Sequence, residues 1–97
     1  MPHTIVITAQ VRPGKREQLA QILAEGPPFD LAASGFHRHL AFLGAHELVL
    51  LFEGDNAAVD VRHLAASLPL AEVSRMATLV SAPQLVSECY EWSAVPA

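Results

Sequence analysis

The sequence predicts an α+β domain in the order strand, helix, strand, strand, helix, strand, with the strands forming one four-stranded antiparallel sheet. Three observations lead there. Four short apolar runs punctuate the chain, and residues with helical spacing follow the first and the third. Only Gly44-Ala45-His46 separates the second run from the third, a connection too short for anything but an antiparallel hairpin. The 97 residues suffice for one modest core, so residues 1–97 are read as a single domain.

Each element has its own signal. From His3 to Val11, Ile5, Ile7, Ala9 and Val11 alternate with Thr4, Val6, Thr8 and Gln10, the period-two pattern of a strand. Pro13-Gly14 ends it. Lys15 to Glu25 then reads as a helix with Leu19, Ile22 and Leu23 on one side, stopped by Gly26-Pro27-Pro28 because proline lacks an amide hydrogen and restricts its neighbour. Phe29 to Ser34 is a loop. Gly35 to Leu43 and Glu47 to Glu53 are the hairpin strands. Asp55 or Asn56 is placed to cap the next helix, whose stripe is Val61, Leu64, Ala65 and Leu68, with His63 pointing away. Pro69 breaks that helix, Leu70, Val73, Ala77 and Val80 resume helical spacing, Ser81-Ala82-Pro83 turns, and Gln84 to Trp92 is the last strand.

The strands are apolar on both faces. In the third, Leu48, Leu50 and Phe52 face one way and Val49 and Leu51 the other; in the second, Phe36, Leu40 and Phe42 are expected opposite Ala41 and Leu43. Right-handed crossovers put both helical segments on one face of the sheet. The other face then needs a cover from outside the chain, and a homodimer with sheets face to face is the expected solution.

Composition limits the partners. Hydrophobic residues make up 52% and charged residues 16%, too apolar for a disordered chain. Net charge is −4 and the six basic residues form no cluster of the kind that drives phosphate binding, so no nucleic-acid partner is expected. No run approaches the roughly 18 apolar residues of a membrane span, and Met1 to Thr8 has no basic stretch of a signal peptide. One cysteine, Cys89, forms no internal disulfide; it is read as a small packed strand residue in a cytoplasmic protein, a nucleophile being the alternative.

The element order, the length and the phrase Val11-Arg12-Pro13-Gly14-Lys15 after the first strand resemble the dimeric α+β barrel superfamily, which includes the antibiotic-biosynthesis monooxygenase-like proteins. The resemblance spans nearly the whole chain. Pro27-Pro28-Phe29-Asp30, Arg38 to Leu43, Val49 to Gly54, Ala82-Pro83-Gln84-Leu85 and Tyr90-Glu91-Trp92 are similar to a group of bacterial members without an assigned activity. It implies a ferredoxin-like βαββαβ fold and a homodimer. Haem-degrading members carry an asparagine on the first strand and a tryptophan and histidine near the second helical region. Here the only asparagine is Asn56 and the only tryptophan Trp92, so that activity is not expected. No cofactor is assigned.

The densest polar group is His37-Arg38-His39. On a regular strand His37 and His39 leave the same face, a spacing that could bring two imidazoles to one metal ion with Glu53 as third ligand. A three-residue hairpin loop places His37 opposite Glu53; a four-residue loop places Arg38 there and gives an ion pair. The preferred reading is rim residues and dimer contacts, and no metal is assigned. Glu53, ending an apolar strand, is a candidate general base or a strand-end carboxylate. Tyr90 and Trp92 share a strand face and are candidate walls for a flat ligand, with His37 at its edge and Phe29, in the loop from Pro27 to Ser34, as a cover.

Two functions follow as expectations. One is a cofactor-free monooxygenase or cyclase acting on a planar apolar small molecule, with His39 as general base, Arg38 stabilising an enolate-like charge and Glu53 as the further catalytic candidate. The other is a non-catalytic dimeric module that binds an apolar small molecule or a protein.

Overall fold

A computed structural model describes residues 3–27, 30 and 32–86. In chain order these form β1 (His3–Val11), α1 (Arg16–Glu25), β2 (Phe36–Leu43), β3 (Glu47–Gly54), α2 (Ala57–Ser67), α3 (Leu70–Ala77) and β4 (Val80–Val86). The sheet order is β2-β3-β1-β4, and every neighbouring pair is antiparallel. This is the ferredoxin-like arrangement expected from the element order, with the second helical region divided in two.

The helices form where spacing and breakers put them. Gly14, at φ 75°, turns the chain out of β1, and Lys15 opens α1 without a side-chain cap. Leu19 is fully buried, while Ile22 and Leu23 pack around it. Gly26, at φ 89°, closes α1 by donating its amide to the Leu23 carbonyl at 3.2 Å. Asn56 takes the cap position of α2, but neither it nor Asp55 makes the expected side-chain cap. The inward stripe of α2 is Ala57, Val61 and Leu64; Ala65, expected on it, is exposed. Pro69 supplies no amide hydrogen, so α2 ends and α3 begins around it.

One face of the sheet carries the core. Ile5, Phe36 and Phe52 pack with Ala57 and Val61 of α2, and Leu48 packs with Leu19 of α1 and Leu79; half-buried Leu50 joins the two clusters. Met76 of α3 adds to the second cluster. All the helices therefore sit on one side, as right-handed crossovers require.

The structure corrects two expectations. In β2 the register shifts between Phe36, opposite Gly54, and Arg38, opposite Glu53, so His37 is an extra residue. That bulge changes the phase of the alternation. Phe36 belongs to the helix-facing side with His39, Ala41 and Leu43, whose partners are Phe52, Leu50 and Leu48; Leu40 and Phe42 lie on the other side. The expected grouping of Phe36 with Leu40 and Phe42 fails for this reason, and His37, without a partner in the register, interrupts the regular spacing between Phe36 and His39. In addition, β4 begins at Val80, earlier than Gln84, because Val80 pairs with Val11 and Ser81 with Gln10. The expected turn at Ser81-Ala82-Pro83 is instead an irregularity inside the strand, with Ala82 at φ 51°.

Candidate functional site

The face turned away from the helices has a banded surface. Strand pairing aligns Val86, Val6, Leu51 and Leu40 in one row across all four strands. The adjoining row is Gln84, Thr8, Val49 and Phe42, and polar rows flank the two: Thr4, Glu53 and Arg38 at one end, Ser81, Gln10 and Glu47 at the other. Val6, Leu40, Val49 and Leu51 are half-buried by their neighbours, while Phe42 and Val86 are 54% and 39% exposed. A water-facing sheet surface ordinarily alternates to polar residues, and this one does not.

The hairpin register settles the neighbours of Glu53. Leu43 opposite Leu48 leaves a four-residue connection, closed by the Gly44 amide donating to the Glu47 carbonyl at 2.8 Å. Of the two registers open to the sequence, this is the one that sets Arg38 opposite Glu53, with Thr4 on the other flank of the carboxylate. His37 stands instead near Asp55, 3.7 Å from Nε2 to Oδ2, both side chains more than half exposed. Among the described residues no three or more histidine, cysteine or acidic side chains converge as a metal cage.

His39 is in a different setting. Its Nδ1 lies 3.0 Å from the Leu51 carbonyl, and its ring stacks on Phe52 with centroids 4.3 Å apart and planes 22° from parallel. Because a carbonyl can only accept, Nδ1 carries the proton and Nε2 is the basic nitrogen. Strand alternation divides the three candidate catalytic residues: Arg38 and Glu53 pair in register on the open face, and His39, the next residue, belongs to the helix-facing side.

Phe29, Tyr90 and Trp92, proposed to bind a ligand, lie outside the described residues, as does Cys89. Of the loop before β2, Asp30 organises its C-terminal part: its Oδ1 accepts the amides of Ala32 and Ala33 at 3.0 and 3.2 Å, and its carbonyl accepts the Ser34 hydroxyl at 2.8 Å. Sequence reasoning missed a second feature, an open cleft of about 510 Å³ where β1 ends, lined by Gln10, Val11, Arg12, Pro13, His46, Glu47 and Ser81. Its polar residues come from three distant stretches, and no local motif announces them.

No family model and no curated protein matches the chain. Among solved structures, the crystal structure of NE2512, a protein of unknown function from Nitrosomonas europaea, is similar, with a TM-score of 0.71 and 23% identity over 99% of this chain and 95% of that one. At that identity the likeness establishes the shared fold. None of the helices among the described residues is long and apolar enough to cross a membrane.

Proposed function

We propose that this chain is a homodimeric, non-catalytic binding module of the cytoplasm, in which a second copy covers the open sheet face. The observation that supports it is the unbroken apolar row Val86, Val6, Leu51 and Leu40, widened by Val49 and Phe42 and bordered by polar rows. All helices are already committed to the opposite face. A two-fold pair needs only this one patch, used twice. Removing roughly 400 Å² of apolar surface from water contributes on the order of 10 kcal/mol at ~25 cal/mol per Å². That is comparable with the roughly 4–15 kcal/mol cost of association, and the Arg38–Glu53 row gives the interface a polar rim. The test is sedimentation of the full chain beside Leu51→Glu. A two-copy species that becomes a folded single copy in the variant supports the proposal. A single-copy wild type at micromolar concentration overturns it.

The enzyme reading, a cofactor-free monooxygenase or cyclase for a planar apolar small molecule, has one observation in its favour. The contact with the Leu51 carbonyl and the stack on Phe52 orient half-buried His39 as an imidazole held beside an aromatic ring, the setting a general base would have. In that reading His39 works without Arg38 and Glu53, which belong to the other face. Turnover of a quinol or polyketide-like probe that disappears in His39→Gln, with the fold retained, would favour it over the binding module.

A further inference from the structure

The cleft at the end of β1 combines opposite charges that do not meet. Gln10 stands directly between Glu47 on β3 and Ser81 on β4 in the pairing register. Arg12 follows Gln10 by two residues and lines the same cleft with His46. Arg12, just past the end of β1, and Glu47, opposite Gln10, are long side chains that line one cleft. They nevertheless form no ion pair, and the structure shows what holds the guanidinium elsewhere. Its Nε donates to the Ala77 carbonyl at the end of α3, at 3.0 Å, while the Arg12 amide donates to the Leu79 carbonyl at 2.9 Å. The far wall is pinned too: the Val11 amide donates to the His46 carbonyl at 2.9 Å, and Arg16 Nε donates to the Gly44 carbonyl at 3.0 Å.

With Nε tied back, the two terminal nitrogens of Arg12 remain as a planar fork suited to a carboxylate. Glu47 offers the complementary acceptor for a cation, and Gln10 and Ser81 between and beside them supply neutral donors and acceptors. A simple anion would be repelled by Glu47 and a simple amine by Arg12. We propose that this cleft binds a small zwitterion of the α-amino acid class, its carboxylate on Arg12 and its ammonium on Glu47. The site lies at one end of the open face, in the polar row Ser81, Gln10 and Glu47 that borders the apolar ones.

The experiment is amide-resolved NMR titration of the full chain with each standard amino acid, beside propionate and ethylamine as single-charge controls. The expected result is saturable shifts at Gln10, His46 and Ser81 for at least one amino acid, with both controls at least about tenfold weaker. Arg12→Gln and Glu47→Gln should each weaken that binding by at least about tenfold, with thermal unfolding verifying that each variant is folded. The proposal is overturned if no amino acid shifts these residues at about 10 mM. It is equally overturned if propionate or ethylamine binds as tightly, or if the shifts fall elsewhere. Sedimentation of the same samples reads the dimer separately, so failure of one proposal is distinguishable from failure of the other.

Discussion

His39 lies flat against Phe52, and Phe36 meets the same ring with centroids 4.9 Å apart. Residues three apart on a regular strand would point to opposite faces; these share one because His37 is an extra residue between them. Deleting His37 should therefore disrupt the core beside α2 even though its own side chain is exposed. The expected cost is about 3 kcal/mol, comparable with losing a buried aromatic contact, measured by urea unfolding. His37→Ala, which keeps the bulge, should cost less than about 0.5 kcal/mol.

Replacing His39 separates its packing from its polar contact. His39→Ala loses the stack and strips the Leu51 carbonyl of a donor, with an expected loss of about 2 kcal/mol. His39→Phe restores the ring but not the bond and should recover about half of that. Equal losses for both variants in denaturant unfolding would show that the hydrogen bond carries the whole effect.

Gly35 and Gly54 close the end of the sheet by near contact. Gly35 sits at φ 86°, and a Cβ there would lie 2.7 Å from Oδ2 of Asp60; a Cβ on Gly54 would lie 2.8 Å from the Gly35 carbonyl oxygen. Gly35→Ala should cost about 1–2 kcal/mol from the left-handed backbone alone, and part of any excess should be relieved by pairing it with Asp60→Ala. Gly54→Ala should cost more than about 2 kcal/mol with no side-chain rescue, since the obstruction is backbone. A double-mutant cycle on thermal unfolding checks both.

Leu19 is the anchor of α1, with no exposed surface. Leu19→Ala should lose about 3–5 kcal/mol, the range for a buried leucine whose cavity cannot collapse. Exposed Leu70 on α3, 80% accessible, should change stability by less than about 0.5 kcal/mol when made alanine. Chemical denaturation of the pair gives the contrast.

On the open face, Phe42→Ala should weaken the proposed dimer without harming the fold. A half-exposed phenylalanine that becomes interfacial is worth about 1–3 kcal/mol, so the dissociation constant should rise roughly 5- to 150-fold. Concentration-dependent sedimentation reads this directly.

Much of the architecture was legible because it depends on local periodicity. Leu19, Ile22 and Leu23 announce the buried side of α1, and the doubled apolar pattern of β3 announces a sheet with a bare face. Three things were not local. A single inserted residue, His37, has no compositional mark, since no glycine accompanies it and both registers keep apolar residues paired. Val80 continues the helical spacing of Leu70, Val73 and Ala77, yet its partner Val11 draws it into the sheet; pairing decided what spacing left open. The charged cleft is assembled from side chains that only the sheet order brings together.

The two outermost strands of the sheet are both interrupted, β2 at His37 and β4 at Ala82-Pro83. Pro83 has no amide hydrogen to offer an incoming strand, and Arg38 sets a charge on the other margin. Neither rim is a good template for a foreign β-segment. Growth by strand addition is thereby disfavoured at both interruptions, which leaves the flat apolar rows rather than the rims as the sticky part of the sheet.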